Sequence, residues 1–332
     1  MDLSIIIVSY NSLKFIKNCI ESLFFSIGSL EGKENKNKIT WELIIVDNGS
    51  SDGSIEYLKK LELESDWISV IEMGENRGFC SASNIGTERA RGEFLLFLNP
   101  DTKFIQKGLD NLIKFYDEES KGIKVGIIGA KLLNFDNSLQ YSCRSFPTLA
   151  RQFYESYFLH RLFKKSRVFG SYFLSNWDHK SVRKVDWLSG AFMFSKREFF
   201  IQAGSFDEDY FMYSEDADLC LRMHMSGYKH YYYPYFAVQH SDSGIASRDK
   251  ATREVGIWKS RRLYFKKNYS LFHALVLSCL YFFGVINRIL LFMILSVFGQ
   301  KKKGRKKLSK EKLGLYFKTL KLYFCKSSSR QY

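Results

Sequence analysis

The stretch Leu3-Ser4-Ile5-Ile6-Ile7-Val8-Ser9-Tyr10-Asn11 decides how this chain folds. A short run of mostly β-branched side chains, broken only by Ser4, predicts a strand buried on both faces, and the polar residues after it end the strand. The pattern returns at Trp41–Asp47, at 67–73, at 94–99 and at Val125–Leu133, each run apolar and closed by polar or glycine residues. Between them, residues 13–25, 54–61 and 81–90 have helical spacing, with Asp52 and Ser81 as N-caps. Buried strands separated by helices predict an α/β fold around a mostly parallel central sheet. A ligand of such a sheet sits outside the carboxyl ends of its strands, so the turns that follow the strands hold the candidate site.

The chain has 332 residues and a net charge of +15, a size that allows one large α/β domain with a cleft, or two domains. Its six cysteines, Cys19, Cys80, Cys143, Cys220, Cys279 and Cys325, include no close pair. That indicates neither a zinc ribbon nor a disulfide framework and fits a reducing cytosol. At the amino end the apolar run 5–8 follows Asp2 without a basic leader, so it reads as a core strand rather than a secretory signal. Residues 28–38 read as a polar surface loop in the first crossover, and 134–184 as an aromatic, basic loop region with a helix near 149–163.

The charge is unevenly spread. Residues 258–332 carry 18 Lys and Arg against one acid, Glu311, a balance of +17 that leaves the preceding part at −2. Residues 271–299 are strongly apolar, but Asn287 and Arg288 interrupt them, and neither piece, 274–286 or 289–298, reaches the roughly 20 residues of a spanning helix. An arginine at mid-bilayer costs about 2.5 to 3.5 kcal/mol. The expected form is therefore a helical hairpin or a pair of helices in the membrane interface, with one spanning helix as the alternative. Basic clusters flank this segment: Lys259, Arg261, Arg262, Lys266 and Lys267 before it, and Lys301, Lys302, Lys303, Arg305, Lys306 and Lys307 after it. Each contributes about 1 kcal/mol beside an anionic leaflet. Together with the apolar run they favour a membrane surface over nucleic acid as partner, and basic residues on both flanks suit a cytoplasmic-face hairpin.

The candidate site residues follow the strands. Ser9-Tyr10-Asn11 and Asp47-Asn48-Gly49-Ser50-Ser51-Asp52-Gly53 close the first two strands, which are neighbours in a parallel sheet. Asp47 fits two readings, an acceptor for a base or ribose, or ordinary turn chemistry; Asp52 reads as a cap. Gly74-Glu75-Asn76-Arg77-Gly78-Phe79 leads into a helix carrying Asn84 and would close over the same ligand, or serve only as a turn. Asn99 and Asp101 follow a strand, and Pro100 between them forces the chain to turn with both side chains free. One firm carboxylate beside an amide suits a weak Mg²⁺ or Mn²⁺ site completed by substrate phosphate oxygens, against a plain capping role for Asp101. Glu215-Asp216-Ala217-Asp218 opens an amphipathic helix; acids favour a helix amino end for structural reasons, yet three in four residues also offer a base for an incoming hydroxyl. His240 ends an aromatic run and is followed by Ser241, Asp242, Ser243 and Gly244; it is either a packed residue or a metal or phosphate contact.

In their order, Val8-Ser9-Tyr10-Asn11, Val46-Asp47-Asn48-Gly49-Ser50, Asn76-Arg77-Gly78-Phe79 with Asn84, Leu98-Asn99-Pro100-Asp101, Val185-Asp186-Trp187-Leu188-Ser189-Gly190-Ala191, and Gly204-Ser205-Phe206-Asp207-Glu208 leading to Glu215-Asp216-Ala217-Asp218-Leu219-Cys220 make this chain resemble glycosyltransferase family 2. The likeness is to its rhamnosyltransferase-like branch, which builds bacterial cell-surface polysaccharides, and runs from Ser4 to about Tyr269. The resemblance implies a GT-A nucleotide-diphospho-sugar transferase fold and one inverting displacement. It implies that Ser9, Asn11 and Asp47 contact the nucleoside and that Asn76, Phe79 and Asn84 line the donor pocket. Asn99 and Asp101 stand where the family has its Asp-x-Asp metal motif, with Asn99 a departure that weakens a Mg²⁺ or Mn²⁺ site; His240 matches a histidine that helps hold the metal. Asp216, or the adjacent Glu215, matches the catalytic base, and Trp187 and Gly190 match the loop between donor and acceptor.

The organisation expected from this likeness has a nucleotide-sugar-binding half at 1–135, an acceptor-binding and catalytic half of the same domain at 136–257, and a basic, membrane-associating segment at 258–332. The expected donor is a dTDP- or UDP-sugar, and the acceptor a glycan or a polyprenyl-diphosphate-linked glycan. The expected location is the cytoplasmic face of the bacterial inner membrane, peripheral or monotopic. Two rivals stand beside it. A sugar-phosphate nucleotidyltransferase wants a glycine-rich phosphate loop with Lys or Arg after the first strand, which Ser9-Tyr10-Asn11-Ser12 lacks. A non-catalytic membrane-attached scaffold requires both acidic clusters to be vestigial.

Overall fold

The computed structural model describes residues 1–27, 39–241, 250–298 and 303–324. Among these, the strands in chain order are β1 (Leu3–Ser9), β2 (Trp41–Asp47), β3 (Ile68–Glu72), β4 (Phe94–Leu98), β5 (Thr102–Phe104), β6 (Val125–Leu133), β7 (Cys143–Arg144), β8 (Arg183–Val185), β9 (Trp187–Leu188), β10 (Phe192–Lys196) and β11 (Lys229–His240). The helices are α1 (Leu13–Ile27), α2 (Ser54–Leu63), α3 (Phe79–Arg89), α4 (Asp110–Glu119), α5 (Leu149–Ser156), α6 (Leu159–Leu162), α7 (Arg197–Gln202), α8 (Glu215–Met225), α9 (Lys250–Asn268), α10 (Leu271–Phe298) and α11 (Lys303–Phe324). They form two compact units. The first comprises Met1–Phe146, Phe173–Phe211 and Glu215–Ile245; the second comprises Pro147–Tyr172, Met212–Ser214 and Ala246–Tyr332.

The first unit is built on a sheet of order β3-β2-β1-β4-β10-β6-β11-β5, with β8 added beside β11. Every residue of β1, β2 and β4 is buried, as strands covered by helices on both faces must be. β1, β2, β3 and β4 are mutually parallel, and β6 and β11 are parallel to each other. β10 runs antiparallel between β4 and β6, and β5 and β8 are antiparallel partners of β11. The sheet is α/β and mostly parallel, as expected. Register places Ser9 opposite Asp47 and Asp47 opposite Glu72, so three strand ends and the turns after them form one edge. A separate ribbon pairs β7 with β9.

Two buried polar residues tie this unit together away from that edge. Glu42 accepts hydrogen bonds from Ser4 Oγ at 2.6 Å and from Arg91 N at 2.7 Å, and pairs with the Arg91 guanidinium at 2.8 Å. His230 on β11 accepts from Ile127 N of β6 at 3.1 Å through Nδ1 and donates to Cys220 O of α8 at 2.9 Å through Nε2. A methyl group at Gly126 would meet the His230 ring at 2.8 Å, so glycine there makes room for the imidazole.

In the second unit, α9, α10 and α11 pack on one another and α5 packs on α10. Here the structure corrects the expected hairpin. Leu271–Phe298 is one continuous helix, without a break at Asn287-Arg288, because Arg288 has partners inside the unit: Glu254 at 4.0 Å, and the Phe158 and Tyr316 rings at 5.1 and 5.6 Å. By length and composition, Leu271–Ser296 is the one helix among the described residues long and apolar enough to cross a membrane.

Three local expectations also change. Gly53 and Gly78, not Asp52 and Ser81, occupy the N-cap positions of α2 and α3; Ser81 lies inside α3. Asp52 still serves the start of α2, since its carboxylate accepts from Ser54 N at 3.1 Å and from Leu13 N at 3.0 Å. The helix expected at 149–163 is two short helices, parted where Phe158 takes φ +60°. The loop expected at 28–38 lies outside the described residues.

Candidate active site

The donor-side turns are held together by side-chain amides. Asn11, at φ +48°, accepts from Ser51 N at 2.8 Å, while its own N–H donates to Ser50 Oγ at 3.0 Å. Asn48, which sequence reasoning left without a role, donates to Asn76 Oδ1 at 2.9 Å and Gly78 O at 3.2 Å and accepts from Arg77 N at 2.9 Å. The second and third turns thereby become one surface. Gly49, at φ +79°, packs so tightly against the third turn that a Cβ would lie 2.8 Å from the Glu75 backbone. Gly78, at φ +88°, likewise leaves no room, since a Cβ would meet Phe211 O at 2.5 Å.

Asp47 shows an unmet need on this surface. Its Oδ1 accepts from Ser50 N at 2.9 Å, whereas the buried Oδ2 has no partner. A buried carboxylate oxygen left without a donor is costly and points to a missing N–H or O–H. The other donor-side candidates are already bonded. Ser9 is fully buried and shares a hydrogen bond with Ser12 Oγ at 2.8 Å. Asn76 Oδ1 also accepts from Gly78 N at 3.0 Å. Asn84 clamps the backbone of Phe206 by accepting from its N at 3.1 Å and donating to its O at 2.8 Å, and it bonds Glu208 at 2.9 Å. Phe79 stacks edge-on against Phe206, with its N–H on Phe211 O at 2.8 Å.

The turn after β4 does not leave Asn99 and Asp101 free, as Pro100 suggested it would. Asn99 Nδ2 lies 3.2 Å and Asp101 Oδ1 lies 3.3 Å from His240 Nε2, and Ser241 N donates to Asp101 O at 3.2 Å. Gln140, also missed in the sequence, accepts from His240 Nδ1 at 2.8 Å. With these amides as the network orients them, Nδ1 carries the proton and Nε2 presents its lone pair. A carboxylate oxygen and an imidazole nitrogen at this distance are close enough to hold a cation between them. Two such donors with substrate phosphate oxygens suit Mg²⁺ or Mn²⁺. No cluster of three or more His, Cys, Asp or Glu suited to a metal occurs among the described residues; Asp101 and His240 are the pair that could hold such an ion. Asp242, Ser243 and Gly244 lie outside the described residues.

The second acidic cluster divides by function. Asp218 is structural: it is 2 % exposed, accepts from Tyr210 OH at 3.1 Å and from Arg222 Nε at 2.8 Å, and through Arg222 fixes Ala203 O and Ser205 O. Glu215 is buried with Oε2 unpartnered. Burial, and then the neighbouring Asp216 charge, push its pKa well above the usual carboxylate range and so favour its neutral form. Asp216 is half-buried, accepting from Gly190 N at 3.1 Å and from Ala217 N at 2.8 Å. Burial raises its pKa, while those two N–H groups and Arg144 oppose the rise. The turn before α8 is strained, with Tyr213 and Ser214 successively at φ +72° and +66°.

One short loop joins the two clusters. Ala191 O accepts from Asn99 N at 3.1 Å, and the adjacent Gly190 N holds Asp216 Oδ2. Trp187, the other expected loop residue, is buried and donates from Nε1 to Ser145 O at 2.9 Å. Its strand pairs with β7, which brings Arg144 over the Trp187 ring at 5.0 Å and the Phe173 ring at 5.1 Å. A Cβ at Gly190 would lie 3.9 Å from Asp216 and Glu215, an ordinary contact.

A parallel-sheet edge with this turn surface, joined to a second acidic cluster, is the arrangement of a GT-A glycosyltransferase. Solved structures agree on the fold. The chain aligns with the mannosyltransferase PcManGT of Pyrobaculum calidifontis, solved with GDP-Man and Mn²⁺, at TM-score 0.54 and 16% identity, covering 98% of this chain and 88% of that one. It aligns with S. aureus TarS 1-349 at TM-score 0.51 and 16% identity, covering 96% and 81%. The sequence model described as Glycosyl transferase family 2 matches residues 4–177, and the chain belongs to that family. It is 28% identical over 249 residues to the N-acetylglucosaminyl-diphospho-decaprenol L-rhamnosyltransferase of Mycobacterium tuberculosis, covering 69% of this chain and 75% of that protein. It is 29% identical over 242 residues to the rhamnosyltransferase WbbL of Escherichia coli K12, covering 71% and 82%. The chain is a glycosyltransferase of the rhamnosyltransferase-like kind.

Proposed function

We propose that this glycosyltransferase moves a sugar of the rhamnose class from a dTDP- or UDP-activated donor, with inversion, to a hydroxyl of a polyprenyl-diphosphate-linked glycan. The work is done at the cytoplasmic face of the bacterial inner membrane, during surface polysaccharide synthesis. The observation that carries this reading is the loop at 189–191, which touches the Asn99-Asp101 turn with one residue and Asp216 with the next. The names of the two relatives support the sugar, and the first supports the lipid-linked acceptor.

Each group then has a task. The unpartnered Asp47 Oδ2 accepts from the nucleoside, on the surface that Asn11, Asn48 and Asn76 shape. A divalent cation held by Asp101 and His240 would neutralise negative charge on the leaving diphosphate. Asp216 takes the proton of the acceptor hydroxyl as its oxygen bonds to the anomeric carbon and the bond from that carbon to the diphosphate oxygen breaks. The Gly190 N–H keeps the carboxylate aimed. Burial favours the neutral form of Glu215 and so disfavours a second negative charge beside it.

General base catalysis contributes typically 10²- to 10⁴-fold. Asp216→Asn keeps an acceptor for the Gly190 N–H but cannot take a proton, so nucleotide release in the presence of acceptor is expected to fall by about that factor with donor affinity unchanged. Turnover within about tenfold of the parent places the base elsewhere.

A further inference from the structure

The helix α10 is amphipathic in the inverted sense. Its packed side holds Tyr281 and Arg288: Tyr281 OH donates to Glu254 O at 3.2 Å, and the Arg288 side chain is 13% exposed between Glu254 and two aromatic rings. Its outward arc is apolar, with Phe272 68%, Leu275 50%, Phe283 56%, Leu290 50% and Ile294 55% exposed. These residues recur at helical spacing along one side, and Asn287 is the one strongly polar residue on that arc. A helix in water turns its charge outward; this one turns it toward its own unit.

We infer that α10 lies in the plane of an anionic bilayer surface, with the Phe272–Ile294 arc among the upper acyl chains, and does not cross the membrane. The proposal deepens the membrane location given above and rests on that reading for its partner. Two observations favour the in-plane form. α9 packs along α10 and carries eight charged residues in nineteen, and α11 packs on both; a spanning α10 would draw these helices toward the hydrocarbon centre, where ionised side chains are strongly disfavoured. The charge is also of the right sign, since residues 258–332 have 18 basic residues and one acid. The Arg288 that argued against a lipid-embedded helix is satisfied inside the protein, so it opposes nothing in this orientation.

The test measures depth along the helix in the full-length protein. Cys279 is exposed on α10, and Cys19, Cys80, Cys143 and Cys220 are buried, so a Cys279→Ser, Cys325→Ser background accepts single probes. Leu275→Cys, Phe283→Cys and Ile294→Cys span roughly 29 Å of helix. Each carries an environment-sensitive fluorophore on phosphatidylcholine vesicles with or without phosphatidylglycerol, with quenchers on the headgroup or deep in the acyl chain. The expected result is equal, shallow quenching at all three positions and about tenfold weaker binding without phosphatidylglycerol. Deepest quenching at position 283 with shallow ends would establish a span and overturn the proposal. So would labels untouched by lipid but shielded as protein concentration rises, which would assign the face to a second copy. The depth profile needs no sugar donor. Shallow depths without sugar transfer therefore sink the enzymatic reading alone.

Discussion

At the scale of single residues, the base and its surroundings decide the chemistry. Asp216, the proposed base, is only partly solvated. Burial raises its pKa, and two N–H groups and Arg144 limit the rise. The acidic limb of the rate profile therefore reflects loss of the carboxylate, and activity declines as pH falls through its raised pKa. Removing the guanidinium in Arg144→Ala takes away one of the groups holding that value down, so the limb moves to higher pH. Turnover should drop more on the acidic limb than on the plateau at higher pH, with Arg144→Lys in between. An equal loss on limb and plateau would show that Arg144 only supports the Trp187 and Phe173 rings. Neither Arg144 nor Gln140 stood out in the sequence. Their significance lies in partners more than forty residues away, Trp187 and His240, and nothing in local spacing announces such pairs.

At the scale of elements, His230 joins β6, β11 and α8 through both ring nitrogens. Burial lowers its pKa to about 4 from 6.5, because protonation would set Nδ1–H against the Ile127 N–H. The unfolded chain binds this proton first as pH falls. The stabilisation is fully present above pH 6.5 and is lost between 6.5 and about 4, on the order of 3 kcal/mol in all. Urea unfolding at pH 7 and pH 5 checks this: His230→Asn should be less stable at pH 7 yet lose less on acidification. Equal pH slopes would remove His230 from the acid response. The strands were legible because uniform burial leaves a plain mark on sequence, as in Leu3–Ser9 and Trp41–Asp47. The apolar helix was misread for the opposite reason: hydropathy sees Arg288 as a charge in an apolar run, while its partners Glu254 and Tyr316 lie on other helices. Ser81 was mistaken for a cap because Gly78, fitted tightly beneath Phe211, starts α3 three residues earlier.

At the scale of the molecule, charge and chemistry occupy different parts of the chain. The strand-end turns and both acidic clusters belong to a nearly neutral stretch, while the excess positive charge lies beyond residue 258. The candidate site was largely visible in the order of its motifs, since Asp47 ends a strand, Asp101 follows one and Asp216 lies at the start of a helix. What the sequence did not show is how its acids differ. Asp218 is spent on Arg222, burial favours the neutral form of Glu215, and Asp216 alone combines partial exposure with an aimed carboxylate. The central claim is a single displacement at the anomeric carbon driven by that carboxylate. Its most direct test is the anomeric configuration of the product, read by NMR after the purified protein acts on a dTDP- or UDP-sugar of known configuration and a synthetic polyprenyl-diphosphate-linked glycan. The account predicts a glycoside of inverted configuration, formed by the parent and not measurably by Asp216→Asn; a retained configuration, or an equal yield from the variant, would contradict it.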